Sequence, residues 1–345
     1  MQEFSGDERQ FILREIGREG QRALDASRVA IVGMGILGSI ASDMLARAGI
    51  GVLRVIDRDF LKAGDRTHQG LFRPEDLALR LPKATAAAKR LQEINPEICI
   101  EPVIADLGPE NVDEVLKDIH LVIDGTDNFE TRYLINDFSL SHKIPWIYGG
   151  ALSTEGMSYV ILPGKGPCLR CLFGEGPVFG DKQSCDQWGI LAPVGHLIAS
   201  FQVIEAIKIL AGKFDAVERK LWKVDLWSRQ FKAISVLHLE SMPCEGCKRG
   251  KYPWLEKKEG LRLMAWRGRN AVQVSFSPEN REKPNLEELI SKWGHLREVS
   301  RNPYYVRGCG EDFEITVFQC GRTIIQGTED PGKAKSLYEK YISAL

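Results

Sequence analysis

Apolar and polar positions recur with two different periods along the chain, and the switches between them mark out its elements. Val29, Ala30, Ile31 and Val32 form a short, largely β-branched run that predicts a buried strand. It meets the turn Gly33-Met34-Gly35-Ile36-Leu37-Gly38, after which Ser39 to Ala48 carries a helical period and Val52 to Asp57 reads as a second strand. Strand, glycine turn, helix and strand make a βαβ unit. Pro82 to Ile94 predicts a helix with proline in its tolerated first turn. Strands follow at Ile98 to Ile104, His120 to Asp124, Trp146 to Gly150 and Gly156 to Leu162, with helices at Pro109 to Lys117 and Phe129 to His142 between them. Asp7 to Leu24 reads as one leading helix carrying Arg9 and Arg14, weakened by Gly17 and Gly20. Asp59 to Leu81 shows no clear period and is expected to be a long loop. Pro193 to Leu210 is an apolar helix interrupted by Glu205 and Lys208 and too short to cross a bilayer.

After Lys248 to Pro253 the composition shifts. Strands at Ala271 to Phe276, Phe313 to Phe318 and Thr323 to Gln326, with helices at Leu286 to Trp293 and Pro331 to Ile342, predict a small α+β tail. The expected architecture is therefore α/β: a Rossmann-like fold whose mostly parallel sheet continues into antiparallel strands. Residues 1–250 would form the main domain, with its nucleotide part at 28–150 and a second part at 151–250, and residues 251–345 the tail domain. A chain of 345 residues exceeds what one core usually serves. Its formal net charge of −1 excludes nucleic-acid binding through bulk charge. The N-terminus has neither the basic start nor the apolar run of a signal peptide, which points to the cytoplasm. The 8 cysteines are then expected to be reduced, metal-bound or catalytic.

In the glycine turn, Gly33 permits the tight bend, Gly35 lets a phosphate approach the backbone, and Gly38 lets helix and sheet pack closely. Asp57 follows Gly38 by about 20 residues, the spacing at which a carboxylate holds a ribose hydroxyl. The motif means a nucleotide, and by itself it admits both a dinucleotide dehydrogenase and another adenine-nucleotide enzyme. Ligands of open α/β sheets bind outside the carboxyl ends of the strands, so Asp124 and Asp127 of Asp124-Gly125-Thr126-Asp127-Asn128 are expected to face the same crevice. Cys168, Cys171, Cys244 and Cys247 form two Cys-x-x-Cys knuckles about 70 residues apart. Four thiolates at this spacing close a tetrahedral structural zinc site, with redox dithiols the alternative. Cys185 lies in a polar, glycine-bounded loop shortly before a helix, where its pKa would fall and make it a nucleophile, the alternative being a passive loop thiol. Cys99, Cys309 and Cys320 read as packing residues.

Taken together, Arg9-Gln10, the glycine turn, Asp57-x-Asp59, Pro82-Lys83, Asp124 to Asn128, both knuckles and Ser184-Cys185-Asp186 resemble the ThiF/MoeB/HesA adenylyltransferases, relatives of the ubiquitin-activating enzymes. The resemblance runs from Asp7 to Cys247. The tail, with Phe318 to Gly327 and Leu337 to Tyr341, looks like the extension of some bacterial thiazole-biosynthesis members. What the resemblance implies is binding of ATP and Mg²⁺, a homodimer, and adenylation of the C-terminal glycine of a ubiquitin-like sulfur carrier ending in Gly-Gly. A cysteine desulfurase would be the sulfur donor. It further implies that Asp57 holds the ribose, Lys83 contacts phosphate, Asp127 holds Mg²⁺ and Arg9 reaches the partner subunit's site. Asp59, Gln69, Asp124 and Asn128 complete the nucleotide set, and Cys185 would link covalently to the carrier. One departure stands out: Asp65-Arg66-Thr67-His68-Gln69 replaces the family's Asn-Leu-x-Arg-Gln, so His68 takes the arginine's place. Imidazole is largely neutral near pH 7, and Arg66 is expected to substitute as phosphate ligand. An NAD-dependent oxidoreductase and a carrier-binding scaffold without chemistry are the competing readings.

Overall fold

Each of the chain's two units, Met1–Glu256 and Lys257–Leu345, is built on one sheet. The computed structural model describes residues 8–62, 64–65, 70–174, 189–256, 261–266, 270–276, 284–294 and 296–343. Arg66, His68, Gln69 and Cys185 lie outside the described residues, and of Arg9 only the backbone is described.

The first unit opens with α1 (Glu8–Phe11) and α2 (Gly17–Asp25), followed by β1 (Arg28–Val32), α3 (Ile36–Arg47) and β2 (Val52–Ile56). Then come α4 (Pro74–Ala78), α5 (Lys83–Ile94), β3 (Cys99–Val103), α6 (Val112–Val115), β4 (Leu121–Asp124) and α7 (Phe129–His142). β5 (Trp146–Leu152), β6 (Glu155–Ile161), α8 (Leu169–Phe173), α9 (Ala192–Leu210), β7 (Lys220–Asp225), β8 (Gln230–Ser235) and α10 (Pro253–Glu256) complete it. The strand order is β3-β2-β1-β4-β5-β6-β7-β8. The first five strands are parallel and the rest pair antiparallel. Register matters for the site: Val32 stands opposite both Ile56 and Asp124, so the ends of β1, β2 and β4 are level. Ile31, Leu45 and Leu53 are wholly buried, and such side chains each contribute about 1.5–3 kcal/mol of apolar burial.

Several expectations need correction. The leading segment is two helices, because Gly17 adopts φ +65° and donates its N–H back to Leu13 O, ending a turn before α2 starts. The loop after Asp59 contains α4, and Pro82 stands at the N-cap of α5 rather than within its first turn. α9 has 19 residues, long and apolar enough to cross a membrane by length and composition. Half of it is buried, with Val194, Ile198, Ala199, Val203, Ala206 and Ile209 in the core beneath the sheet, so it serves as a core helix. Cys99 and Cys320 are exposed, which overturns their reading as packing residues, while Cys309 is half-buried.

The second unit holds β9 (Leu261–Trp266), β10 (Ala271–Phe276), α11 (Leu286–Lys292), β11 (Glu298–Arg301), β12 (Tyr305–Cys309), β13 (Glu314–Phe318), β14 (Thr323–Gln326) and α12 (Pro331–Tyr338). Its antiparallel sheet, in the order β11-β12-β13-β14-β10-β9, buries Val272, Val274, Val306, Ile315, Val317 and Ile325 with Leu289, Trp293, Ala334 and Tyr338.

Candidate active site

β1 ends at Val32 and the chain bends through Gly33 at φ +90°, a conformation that L side chains avoid. A Cβ on Gly33 would lie 2.6 Å from Gly125 O. One on Gly125 would run into Gly33 O and lie 2.9 Å from the Cα of Gly38, and one on Gly38 would run into Gly33 O. These three glycines interlock the ends of β1 and β4 with the start of α3. Gly35 differs. A Cβ there would meet only Gly125 O at 3.7 Å, an ordinary contact, so its side faces open space. Gly35 is the N-cap of α3, with no side chain accepting from the first-turn amides and no acid among the first-turn residues. The positive end of a 12-residue helix is thereby presented to an anion.

Asp57 ties this turn to β2: one carboxylate oxygen accepts from Met34 N–H and the other from Asp59 N–H, each at 2.6 Å. A carboxylate has about four acceptor positions, which leaves two for a diol. Burial raises the Asp57 carboxyl above its ordinary value, with Lys83 pulling the other way. Lys83 arrives there because Asp59 to Leu61 pairs with Leu81 to Lys83: Leu61 N donates to Leu81 O, Lys83 N donates to Asp59 O, and Phe60 bridges Pro82. Its ammonium is 3.1 Å from Asp65. Burial opposes the charge on Lys83, but Asp57, Asp65 and Asp59 outweigh it and leave the pKa above the ordinary lysine value. Arg58, which the sequence reading passed over, pairs with Asp106 at 3.1 Å beside the same carboxylates.

Asp124 corrects the expectation that it faces the crevice. It is wholly buried, with one oxygen accepting from the N–H and hydroxyl of Thr126 (2.9 and 2.6 Å) and the other from Arg132 Nε at 2.9 Å. Asp127, three residues on, is exposed beyond the strand end. The side-chain oxygen of Asn128 accepts from Thr131 N–H at 2.9 Å and caps α7, which holds one end of the loop.

Both knuckles meet. The sulfurs are 3.9 Å apart for Cys168 and Cys171, 3.7 Å for Cys168 and Cys244, and 3.6 Å for Cys171 and Cys247. Zn–S bonds of about 2.3 Å in a tetrahedron imply S···S edges of about 3.8 Å, so the cluster has the size of a closed zinc site. Hydrogen bonds from Cys168 and Cys171 pull the Cys247 thiol down to about 4. The first knuckle is latched to α7: Leu169 N–H donates to Asn136 at 2.9 Å, and Arg170 pairs with Asp137 at 2.9 Å. Asp137 also accepts from Trp254 N–H at 3.0 Å. Burial pushes its carboxyl up to about 6 against the pull of Arg170.

Residues 8–246 match the model of the ThiF family. The chain is 34% identical over 338 residues to the sulfur carrier protein ThiS adenylyltransferase of Bacillus subtilis (strain 168), covering 97% of this chain and 98% of that protein. To the molybdopterin-synthase adenylyltransferase of Escherichia coli (strain K12) it is 37% identical over 243 residues, covering 69% of this chain and 94% of that one. Among solved structures, E. coli MccB with ATP superposes with a TM-score of 0.57 at 20% identity, over 66% of this chain and 69% of that one, a likeness of fold. By the span of the family match and the identity to the Bacillus protein along nearly its whole length, the chain belongs to the ThiF family.

Proposed function

We propose that this protein is an ATP-dependent adenylyltransferase that activates the C-terminal glycine of a ubiquitin-like sulfur carrier, a ThiS-like protein ending in Gly-Gly, in the cytoplasm for thiamine thiazole synthesis. The observation that carries the reading is the similarity to a ThiS adenylyltransferase along 97% of the chain, tail included. A molybdopterin-type carrier is the second reading, favoured by the Escherichia coli relative. ATP–pyrophosphate exchange with each carrier type separates the two, and exchange with neither contradicts both.

The carrier carboxylate is already ionised near neutral pH, so the step needs no proton transfer. One oxygen attacks the α-phosphorus, an acyl–O–P bond forms, the bond to the β-phosphate breaks, and pyrophosphate leaves with the electron pair. What the protein must supply is placed charge. Asp57 holds the ribose, the open amides behind Gly35 receive phosphate, and Lys83 adds a fixed cation. Asp127, exposed and with Asp59 acting on the same Arg58 guanidinium, suits Mg²⁺, which when bound neutralises charge on the leaving pyrophosphate. Arg66 stands in for the arginine that His68 replaces. Arg66→Ala should lower exchange far more than His68→Ala, and an unaffected Arg66→Ala refutes the substitution. Cys168, Cys171, Cys244 and Cys247 would hold zinc as a structural ion. Cys185 takes the acyl group from AMP as a thioester, and a cysteine desulfurase supplies the sulfur.

Arg9 serves a second copy. Gln10 donates to Ala48 O at 3.1 Å and to Gln21 at 2.8 Å, which ties α1 to the C-terminal end of α3. At about 1.5 Å per residue, that end is roughly 18 Å from the helix start at Gly35, beyond the span of an arginine side chain. A homodimer with shared sites is therefore part of the proposal, supported by the distance from α1 to the glycine turn. Arg9→Ala should be inactive alone and regain up to about a quarter of the wild-type activity when mixed with equal Asp127→Ala, since half of the dimers are then mixed and each of those keeps one intact site; no rescue would argue that Arg9 acts within its own subunit's site.

A further inference from the structure

β4 and β5 pair only at Val122 with Trp146 and Ile123 with Ile147, and then part. Parting strands leave buried carbonyls that need donors. Two side chains supply them. Gln202 of α9, wholly buried, donates its amide to Asp124 O at 2.7 Å and Ile147 O at 3.1 Å. Arg132 of α7 fills the gap beyond. Besides its bond to the Asp124 carboxylate, its Nη2 donates to Thr126 O at 2.6 Å and Gly149 O at 3.0 Å, one acceptor on each side of the split. The guanidinium lies 5.3 Å from the ring centre of Phe129 and 5.2 Å from that of Tyr148. Gly149 must lack a side chain, because its Cβ would overlap the Gln202 amide. The loop after β4 is thus fixed at Thr126 by Arg132 and at Asn128 by the cap of α7, with Asp127 between.

We propose that Arg132 is a positioning residue for the divalent cation: by bracing Thr126 O against Gly149 O, it sets the backbone from which the Asp127 carboxylate meets Mg²⁺. It touches neither nucleotide nor metal. The proposal rests on the assignment of Asp127 to magnesium made above. A lysine keeps the charge but offers a single ammonium, which cannot reproduce a planar fork bonded to Asp124, Thr126 and Gly149 at once. Arg132→Lys therefore preserves the buried charge pair and loses the brace.

The test measures ATP affinity of the full-length protein by titration calorimetry, with and without Mg²⁺, for wild type, Arg132→Lys and Leu116→Ala. Leu116 is wholly buried and makes none of the hydrogen bonds that hold this loop, so it controls for lost stability alone. Arg132→Lys should lose at least tenfold in affinity with Mg²⁺ and less than twofold without it. Its KM for ATP in pyrophosphate exchange should rise and recover partly with excess Mg²⁺. Leu116→Ala should lower Tm and leave the Mg²⁺ dependence intact. An Arg132→Lys protein that melts earlier yet keeps the wild-type gain from Mg²⁺ overturns the proposal, as do equal losses with and without the metal. A wild type that gains nothing from Mg²⁺ removes the role of Asp127 first, and that of Arg132 with it.

Discussion

The glycines of the crevice are of two kinds, and two alanine substitutions separate them. Gly125→Ala puts a Cβ against Gly33 O and 2.9 Å from the Cα of Gly38, backbone contacts that no side-chain rotation relieves. Overpacking of this kind costs about 1–3 kcal/mol, and backbone on both sides places it near 3. At roughly 2–4 °C per kcal/mol, Tm should fall by about 6–12 °C. Gly35→Ala is different, because its Cβ finds only an ordinary contact and its φ of −77° suits any residue. The loss of stability there should stay within about 1 kcal/mol, the scale of a weakened N-cap. The new methyl nevertheless stands where the proposed function puts the phosphate, at the first amides of α3. ATP affinity should drop at least tenfold, about 1.4 kcal/mol. Scanning fluorimetry gives the two Tm values and calorimetry the two affinities. Wild-type ATP binding by Gly35→Ala, or a Tm loss equal to that of Gly125→Ala, would refute the claim that the open side of Gly35 is the phosphate side.

Three further outcomes follow from the same geometry. Chelation, or Cys244→Ser, should release stoichiometric zinc and unfold the region around α7, α8 and α10, since Asn136 and Asp137 hold the knuckle that the proposed zinc would close; unchanged near-ultraviolet circular dichroism contradicts this. Glu101 accepts from Arg28 at 2.9 Å and Arg54 at 2.7 Å, and although burial opposes its charge, the two arginines hold its pKa below the ordinary value. A depressed carboxyl stabilises the fold above its unfolded pKa, and that contribution is lost as pH falls through the folded one. The Tm gap between wild type and Glu101→Gln should therefore be full at pH 7 and close below about pH 4, and a constant gap would be inconsistent. Cys185→Ser should trap the carrier as an ester, whereas adenylate formation without any trapped ester argues against a covalent role.

Much of the site was legible because its signals are local. The glycine turn, Asp57 and the Cys-x-x-Cys pairs each declare themselves within a few residues, and the structure brings Cys168 and Cys171 to Cys244 and Cys247 as their spacing implies. What escaped depends on long-range approach. Nothing near Gly125 says that the backbone of Gly33 will press on it, and Gln202 lies 78 residues from the carbonyl it satisfies. Asp124 looked like a crevice ligand because it ends a strand, yet its partner Arg132 sits in the first turn of the next helix and draws the carboxylate inward. β7 and β8 were missed for another reason. All six residues of β8 are exposed, so burial imposes no alternation on its sequence. In the tail, β11 is likewise fully exposed, and β12 contains Gly308, which weakens a strand signal.

The central claim is that the crevice above the glycine turn moves AMP from ATP to a peptide carboxylate. The most direct measurement is the intact mass of a Gly-Gly-ended ubiquitin-like carrier after incubation with the protein, ATP and Mg²⁺. One added adenylyl group is predicted, absent when the carrier's last glycine is removed and absent when NAD replaces ATP. A carrier of unchanged mass, from a protein that NADH stabilises and ATP does not, would contradict it.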